Sequence, residues 1–588
     1  MAGGLLNLIA IGNQNVITNG NPSKTFFKVN YSKYTNFGLQ KYRIDQTGQT
    51  NININSETKY TFKISRYGDL LIDAYLVLTL PNIWSPILKH NINNTQNYEY
   101  RPYEFKWIKN IGTQLIKDVT ITIGGHIIQK FSGSYIQNVI ERDYDLTKKE
   151  LFNKMTGNIN ELHSPELYSN RNNNYPNAYK QNETMDVEPS IYSKQLFIPI
   201  NSWFSLLSSS SLPMVCLQYT DLEIIFNFRP LVELFTIKDI IYDLSENPLK
   251  IDNTNYDSFP RIKADQSVDE RYGFYRFIQE PPVKDISDTY EYEDKRKTVN
   301  MDVHLITTQC FLDNEERNYF ALNNQSYLIK EVHEYDFFKV NKSNKIKLEE
   351  SNGLVSNWMW YFQRDDVKYR NEWSNYSNWP YENIIPNKLF KIYYDDQYIN
   401  EIYYPQKRLY NDNSINIFIT GSIPSDSEQN NQKLIMKNFA IICDGKYREQ
   451  EMPSGTFDKL EKFVRNNGDS KDGLYHYSFS INNDPYKYQP SGAFNTNKFK
   501  VIEFEYNNYF NPPFDLSNVF FQTLCDPETG EVIAKTRRCN KKCKLDEERN
   551  KDFKCIKVKN KSKKIKSVSF MTNKSKKNKI FKKIYKSI

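Results

Sequence analysis

The sequence is poor in features that identify several common classes of protein. It contains 7 cysteines in 588 residues, too few for a disulfide-stabilised scaffold, and their odd number is typical of thiols kept reduced inside cells. No run of residues approaches the roughly 18 apolar positions that a transmembrane helix needs. The first eleven residues include a short apolar stretch with no basic residue before it, which argues against a secretory signal peptide.

Motifs of common enzymes are also missing. We find no G-x-x-x-x-G-K-[ST] loop, no G-x-G-x-x-G, no G-x-S-x-G and no H-E-x-x-H. Only 6 histidines occur, and no two of them are three or four residues apart. We therefore predict a protein with no catalytic activity and no cofactor. A carbohydrate-active β-sandwich enzyme is an alternative, based only on aromatic residues and scattered carboxylates.

Aromatic residues are abundant although hydrophobic residues as a whole are not. Hydrophobic residues make up 39% of the chain, yet Phe, Trp and Tyr alone reach 15%. Disordered chains lack aromatic residues, so most of this chain is expected to fold. Its length corresponds to three or four ordinary domains or to two large ones.

Alternation of apolar and polar residues predicts a protein built mainly of β-strands. In residues 221–228, apolar side chains occupy every second position, as in a half-buried strand. Residues 118–131 predict a hairpin, because Gly124 and Gly125 suit a two-residue turn. Other strand-like runs are residues 25–31, 60–65, 70–80, 194–200, 303–312, 327–332, 358–362, 415–420, 438–443, 474–481, 498–506 and 518–524. Without regular strand–helix alternation, antiparallel sandwiches are favoured over a parallel sheet.

Helical patterns are few. Residues 134–152 and 455–466 predict helices, and the second has one apolar stripe, consisting of Phe457, Leu460, Phe463 and Val464. A third predicted helix occupies residues 313–321. It begins with Asp313 and has Glu316 three residues later, close to a capping box. Glu315 and Glu316, followed by Arg317, predict capping and ion pairing in this helix rather than acid–base catalysis.

Basic residues are concentrated at the C-terminal end. Residues 535–588 contain 22 Lys and Arg against 4 Asp and Glu, whereas the rest of the chain carries 56 basic and 66 acidic residues. This asymmetry predicts a disordered tail that contacts polyanions. The lysines assigned to this contact are Lys541, Lys542, Lys544, Lys563, Lys564, Lys576, Lys577, Lys582 and Lys583. Nucleic acid, an anionic membrane and a merely solvated tail are all compatible with this composition.

Four cysteines form the best candidate for a metal site. Cys539 and Cys543 are separated by three residues, Cys555 follows, and Cys525 precedes them. Four thiolates bind zinc tetrahedrally, but the usual spacing is a repeated pair of cysteines two residues apart. Unligated thiols in a flexible tail are therefore favoured over a structural zinc site.

Short motifs along the chain resemble those of the major capsid proteins of nucleocytoplasmic large DNA viruses. The N-terminal ones are Gly-Gly-Leu-Leu-Asn-Leu-Ile-Ala at residues 3–10, Gly-Asn-Pro at 20–22, Thr-Phe-Phe-Lys at 25–28 and Tyr-Thr-Asn-Phe at 34–37. Leu-Pro-Met-Val-Cys-Leu-Gln-Tyr at 212–219 and Phe-Leu-Asp-Asn-Glu-Glu-Arg-Asn-Tyr-Phe at 311–320 follow. Tyr-His-Tyr-Ser-Phe at 475–479 precedes Gln-Pro-Ser-Gly at 489–492 and Asn495. The order of these motifs, more than any single one, supports the resemblance.

The resemblance implies an all-β fold of two tandem eight-stranded antiparallel jelly rolls, a double jelly roll with long loops and few short helices. On this pattern, residues 1–24 form an N-terminal arm and residues 25–312 the first jelly roll. Residues 313–324 form a linking helix and residues 325–525 the second jelly roll. Residues 526–588 form the disordered basic tail.

The resemblance also implies a function. The protein would be a structural viral capsid protein whose homotrimers have a pseudo-hexameric outline and tile an icosahedral shell. Its partners would be its own copies, neighbouring capsomers and minor capsid proteins, without any small-molecule substrate. It would be located in the virion after synthesis and assembly in the host cytoplasm. The alternative is a minor capsid paralogue or an adaptor whose basic tail binds nucleic acid or an anionic internal membrane.

Overall fold

The protein consists of two β-sandwiches that follow each other along the chain. The structure, a computed structural model, describes residues 3–91, 98–168, 171, 174–240, 261–267, 269–283, 292, 294–340, 343–348, 353–365, 367–378, 381, 390–392, 415–417, 433–487, 489–509, 547–549, 555–557 and 566–578. In this part of the chain, each sandwich has eight main strands in two sheets, with one further two-residue strand at the edge of one sheet.

The first sandwich has the strand order of a jelly roll. Its strands are β1 (Phe37–Asp45), β2 (Thr58–Lys63), β3 (Leu70–Leu80), β4 (Ile116–Ile123), β5 (His126–Ser132), β6 (Lys194–Pro199), β7 (Leu222–Phe228) and β8 (His304–Leu312). One sheet has the order β1-β8-β3-β6 and the other β2-β7-β4-β5. All of these pairs are antiparallel. The chain therefore crosses repeatedly between two packed sheets, as jelly rolls do.

The second sandwich repeats this topology strand for strand. Its strands are β9 (Tyr327–Val340), β10 (Ser343–Leu348), β11 (Leu354–Arg364), β12 (Met436–Cys443), β13 (Lys446–Pro453), β14 (Leu474–Ser478), β15 (Ile502–Asn508) and β16 (Lys566–Asn578). The sheets have the orders β9-β16-β11-β14 and β10-β15-β12-β13. Each strand thus takes the place of the strand numbered eight lower. The predicted double jelly roll is confirmed.

Helices and shorter strands lie in the connections. The α-helices are α1 (Gly3–Ile9), α2 (Val16–Asn19), α3 (Ile111–Leu115), α4 (Gly133–Asp143), α5 (Leu146–Thr156), α6 (Asn160–His163), α7 (Trp203–Leu206), α8 (Asn314–Leu322) and α9 (Glu461–Arg465). The short strands are Asn51–Asn53, Ile87–Asn91, Tyr98–Pro102, Lys106–Trp107, Leu212–Pro213, Phe235–Lys238, Arg261–Ile262, Thr298–Asn300, Phe390–Ile392, Ile415–Ile417, Phe494–Asn495, Glu547–Arg549 and Cys555–Lys557. Among the described residues, no helix is long and apolar enough to cross a membrane.

Local sequence explains the best-predicted elements. Strand β7 alternates between buried and partly buried positions along its whole length, as its period-two pattern predicts. The β4–β5 hairpin turns at Gly124 and Gly125, which have φ angles of 57° and 78°. Both residues adopt the left-handed conformation that a type I′ turn requires and that glycine adopts without steric cost.

Aromatic rings fill the core of the second sandwich. On β11, Trp358, Trp360 and Phe362 are fully buried. The ring of Trp360 stacks on Phe439 with centroids 4.3 Å apart, and Trp358 meets Phe504 edge to face at 4.9 Å. Aromatic pairs of this kind add to the free energy gained from burying their area. Met359, which lies between the two tryptophans, instead packs into the apolar cluster of the first sandwich.

Two predicted patterns differ from the structure. Residues 25–31 form no strand, and the first strand begins only at Phe37. Of the apolar stripe in residues 455–466, only Phe457 is buried, while Leu460, Phe463 and Val464 are 61%, 89% and 63% exposed. A π-helical turn at Thr456–Leu460 precedes α9. Its wider turn breaks the 3.6-residue spacing on which the predicted stripe depended.

The prediction of a disordered C-terminal tail is wrong for residues 566–578. This segment forms β16 and pairs with both β9 and β11. The segment is rich in lysine, but a short stretch around Val568 and Phe570 alternates between apolar and polar residues. This alternation has the period of a strand. The predicted strand at residues 518–524 lies outside the described residues.

Candidate functional site

The joint between the two sandwiches is built on helix α4. Its first residue, Gly133, sits so close to the preceding chain that a Cβ atom would lie 2.0 Å from the carbonyl oxygen of Thr113. Ser132 caps the helix, because its hydroxyl accepts a hydrogen bond from the Tyr135 amide at 3.0 Å. The helix starts against the first sandwich, and its last turn contacts the second one.

An ion pair at the end of α4 forms the centre of the joint. Arg142 donates to Asp143 through Nε at 2.8 Å and through Nη2 at 2.7 Å. The two side chains are only 3% and 1% exposed. Burial opposes the charge on the guanidinium, but the neighbouring Asp143 carboxylate outweighs it and raises the pKa of Arg142. A bidentate pair of this kind combines strength with a defined orientation.

Both members of the pair also contact the second sandwich. Arg142 Nη1 donates to Asn357 Oδ1 on β11 at 3.1 Å, and Asn466 Nδ2 donates to Asp143 Oδ1 at 2.6 Å. The Gly468 amide donates to the Arg142 carbonyl at 2.9 Å. A Cβ on Gly468 would lie 2.1 Å from that carbonyl oxygen, so only glycine allows this approach. The pair therefore holds the two sandwiches in one relative orientation.

A chain of amides extends the network into the second sandwich. Asn357 Nδ2 lies 3.4 Å from Asn483 Oδ1, and Asn483 Nδ2 lies 3.3 Å from Nε2 of His476. Burial, with the nearby charges of Arg142 and Lys462, lowers the pKa of His476 well below its usual value. The imidazole is therefore neutral at physiological pH and acts as a hydrogen-bonding group of the interior.

The segment of residues 367–378 provides a second connection between the sandwiches. Asn371, in the left-handed conformation with a φ of 53°, donates to the carbonyl oxygens of Val232 at 2.9 Å and Phe235 at 2.8 Å. Trp373 Nε1 donates to the Glu233 carbonyl at 2.9 Å. These bonds satisfy buried backbone acceptors of the first sandwich.

Tyr376 completes this connection. Its ring stacks on Tyr361 with centroids 3.9 Å apart, and its hydroxyl donates to Asn138 Oδ1 on α4 at 3.0 Å. The ammonium group of Lys471 lies 4.4 Å above the same ring, as in a cation–π contact. Burial lowers the pKa of Lys471 to about 8, although Glu141 acts in the opposite direction.

The linking helix α8 lies where the sequence predicts it. Asp313 accepts a hydrogen bond from the Asn314 amide at 2.7 Å. Glu316 accepts from Thr35 Oγ1 at 2.7 Å, which attaches the helix to the N-terminal segment. Arg317 Nε lies 2.9 Å from Asp69 Oδ1 of the first sandwich. Glu315 occupies the exposed first turn, where a carboxylate favours the helix dipole.

The remaining predicted site residues lie mostly outside the described residues. Those outside are Cys525, Cys539, Cys543, Lys541, Lys542, Lys544, Lys563, Lys564, Lys582 and Lys583. Cys555 lies in a short strand, and Lys576 and Lys577 lie near the end of β16. Within the described part of the chain, no three His, Cys, Asp or Glu residues are grouped closely enough to hold a metal ion. The zinc site and the polyanion contact remain predictions.

Little in the amino-acid pattern indicates the joint. Arg142 and Asp143 are neighbours in a helix rich in polar residues, a pattern that usually indicates a solvated face.

The sequence motifs at residues 475–479 and 489–492, with Asn495, lie in two segments that pack against each other. Gly492 has a φ of 144°, and a Cβ there would lie 2.9 Å from the Phe479 carbonyl oxygen. Phe494 then stacks on Phe479 with centroids 4.6 Å apart.

Two tandem jelly rolls of one topology, held by a buried polar joint, define a protein of the double jelly-roll class. A family model described as "Major capsid protein N-terminus" matches residues 25–268. A "Probable capsid protein 4" of Acanthamoeba polyphaga mimivirus is 28% identical over 416 residues, covering 62% of this chain and 73% of the relative. The "Major capsid protein" of Chrysochromulina ericina virus is 26% identical over 385 residues, covering 62% of this chain but only 58% of the relative.

Solved structures agree on the fold. The Faustovirus major capsid protein has a TM-score of 0.56 with 9% identity and covers 98% of both chains. A quasi-atomic model of the PBCV-1 virus capsid has a TM-score of 0.53 with 15% identity, covering 94% of this chain and 96% of that one. The chain is therefore similar in sequence to capsid proteins of large DNA viruses, and it shares the double jelly-roll fold of the solved ones.

Proposed function

We propose that this protein is a structural capsid protein whose homotrimers tile the shell of a large DNA virus. The repeated strand order of the two sandwiches is the observation that supports this proposal most directly. Three chains with two equivalent sandwiches each present about six similar units around one axis, an outline that fits a hexagonal lattice. Closed threefold symmetry uses every heterologous contact and leaves no free end.

Exposed apolar side chains support contacts between copies. In the N-terminal segment, residues 3–36, Phe26 and Phe27 are fully exposed, and Tyr31 and Tyr34 are 86% and 85% exposed. Helix α1 has no buried residue. Many exposed apolar side chains within one segment are typical of an interaction site. We propose that this segment packs against neighbouring subunits or the inner side of the shell.

The first prediction concerns the oligomeric state. Light scattering of the purified chain should give three times the chain mass of 69.7 kDa at micromolar concentration. A trimer interface of about 2,000 Å² or more should resist dilution, because obligate interfaces of that size are stable. A monomer that persists at these concentrations and never enters particles contradicts the proposal.

The double variant Phe26→Ser and Phe27→Ser separates folding from assembly. Neither ring is buried in the single chain, so its unfolding temperature should not change. Incorporation into particles should fall if the N-terminal segment contacts neighbours. Unchanged incorporation would assign the shell contacts to other surfaces.

The proposal extends to the location and partners of the protein. The chain is a component of the virion capsid, and we propose that it is synthesised and assembled in the host cytoplasm. Minor capsid proteins would occupy the junctions between trimers. The role is structural, without catalysis. A sugar-hydrolysing activity lost on replacing a single Asp or Glu would instead support the enzyme alternative.

A second candidate function is that of a minor capsid paralogue or adaptor that binds polyanions. The charge asymmetry of the chain favours it, since 22 of its 78 basic residues lie after residue 534. Deleting the tail is not a clean test, because residues 566–578 form a strand of the second sandwich. Charge must be removed while this strand is kept.

A variant with a charge-neutralised tail therefore tests this second candidate function. Changing Lys541, Lys542, Lys544, Lys563 and Lys564 to Gln should weaken binding to duplex DNA at low salt and reduce the salt slope by about four to five. Filter binding at several salt concentrations measures both effects. Vesicles with anionic lipid, assayed in parallel, distinguish a membrane ligand from nucleic acid.

The matched control carries five Lys→Gln changes on the exposed surface of the two sandwiches, at Lys59, Lys130, Lys347, Lys446 and Lys498. This control removes the same net charge as the tail variant. If the tail forms the contact, DNA binding should decrease less in the control than in the tail variant. Equal effects of the two variants would assign binding to overall charge. Normal particle incorporation of the tail variant would favour the shell function over the adaptor function.

A further inference from the structure

The outer edge of strand β1 is unpaired in the single chain. Strand β1 pairs with β8 on one side, and no described strand pairs with its opposite side. Phe37 and Leu39 are 61% and 56% exposed, and a Cβ atom at Gly38 would meet no atom within 4 Å. The first part of β1 is exposed at every position. Its outer backbone groups are therefore available to pair with another strand.

The first four residues of β1 lack the features that protect other exposed edges. Natural sheets prevent unwanted strand addition with charged side chains, lysine above all, and with proline. The edge strands β10 and β13 of the second sandwich follow this rule. Strand β10 contains Lys345 and Lys347, and β13 contains four charged residues and ends at Pro453. Residues 37–40 contain neither a charged residue nor a proline, so this edge is suited to accept a partner strand.

Residues 25–31 have the complementary property, a strand pattern without a partner strand. Phe27, Val29 and Tyr31 occupy every second position, and all three are residue types that favour strands. Their side chains are 99%, 69% and 86% exposed. If this segment lay beside β1, its apolar row would contact the exposed apolar side chains of β1 across the strand pair. Such cross-strand pairs stabilise a sheet.

The segment does not pair with β1 of its own chain. Thr35 Oγ1 donates to Glu316 on α8 at 2.7 Å, which holds the connection between the segment and β1 against the linking helix. A hairpin onto its own β1 would have to reverse within residues 32–36. These residues include no glycine, the residue that most readily adopts the left-handed conformations of tight hairpin turns. A second copy offers the same edge without any reversal.

We propose that residues 25–31 of one copy add as a strand to the outer edge of β1 in a neighbouring copy. The inference rests on the homotrimer proposed above and names one of its contacts. In a closed ring of three, each copy gives one strand and accepts one, so no edge of this kind is left free. Backbone hydrogen bonds provide the affinity of strand addition, and alternate side chains provide its specificity.

Lysine crosslinking of the assembled full-length protein tests which copy accepts the strand. Lys28 lies in the segment and Lys41 lies in β1, so pairing brings the two within reach of a short amine-reactive reagent. The protein is assembled from an equal mixture of unlabelled chains and chains labelled with heavy nitrogen. Exchange between copies in a closed ring predicts that about half of the Lys28–Lys41 crosslinks join a labelled chain to an unlabelled one.

Proline substitutions separate strand addition from side-chain packing. Successive N–H groups of a strand point to opposite sides, so either Val29→Pro or Asn30→Pro must remove a donor to β1. That variant should raise the dissociation constant of the trimer at least about tenfold, and alanine at the same position less than about threefold. Both side chains are exposed in the single chain, so its unfolding temperature should not change. Analytical ultracentrifugation of the full chain measures the dissociation constants.

Three outcomes would overturn the inference. Crosslinks confined to chains of one label would place the segment on its own β1. Absence of the Lys28–Lys41 crosslink would place it on another surface. Equal effects of proline and alanine at both positions would mean that side chains pack without forming a strand. In each case a parent protein that remains trimeric leaves the proposed function intact, whereas a monomeric parent would refute the proposed function together with this inference.

Discussion

Arg142→Met should destabilise the protein by about 3 to 5 kcal/mol, because it leaves the Asp143 carboxylate buried without its partner. Asp143 is 1% exposed and would retain only its bond from Asn466 among the described side chains. The variant also loses the bond from Arg142 to Asn357 across the joint. We expect the two sandwiches to unfold in separate steps, visible as two transitions in calorimetry and as proteolysis near the linking helix.

The same substitution at Arg43 is a matched control. Arg43 Nη2 lies 2.6 Å from Asp302 Oδ1, but both side chains are about half exposed, at 50% and 51%. Water replaces a lost partner there, so the cost should stay below about 1 kcal/mol. Adding Asp143→Asn to Arg142→Met should recover part of the loss, because it removes the unpaired charge. Equal effects of the two Arg→Met variants would refute the assigned role of the joint.

Trp360→Ala should have an effect of similar size on the second sandwich. The indole is fully buried, and it contacts Phe439 at 4.3 Å and Phe457 at 5.4 Å between ring centroids. Truncating a buried Trp typically costs about 3 to 5 kcal/mol, from lost transfer free energy and from the cavity that remains. Urea unfolding followed by circular dichroism should show an earlier transition. Trimers should be lost under conditions in which this sandwich unfolds.

Phe463→Ala provides the comparison for this variant. It also removes an aromatic ring from the second sandwich, but from a side chain that is 89% exposed. Its stability should remain within about 0.5 kcal/mol of the parent. A trimer defect in Phe463→Ala without loss of stability would place this face of α9 at a subunit contact.

Several elements could be predicted from local patterns because the interactions that form them act between residues close in the sequence. The alternation in β7 and the two glycines of the β4–β5 hairpin act over a few residues, and the structure shows both. The Asp313 cap of α8 is likewise local, since the carboxylate bonds to the next amide. The predicted helix at residues 134–152 is present as α4 and α5, interrupted at residues 144–145.

Other features depend on contacts between distant residues. Residues 25–31 have the composition of a strand but find no partner strand in the single chain. Residues 566–578 look like part of a charged tail, yet β9 and β11 offer backbone partners on both sides. Strand formation requires a neighbour as well as an alternating pattern. The predictions made from composition and local pattern were therefore wrong for both segments.

An all-β chain with an aromatic core, a short capped linking helix and an uneven distribution of charge could all be predicted without the structure. These properties follow from residue type and from spacing over a few positions. The association of Arg142, Asp143, Asn357 and Asn466 in one buried network, by contrast, is visible only in the folded protein. Asn357 lies 215 residues from Arg142 along the chain, and Asn466 lies 323 residues from Asp143. Their energy of interaction depends on burial and distance, which exist only after folding.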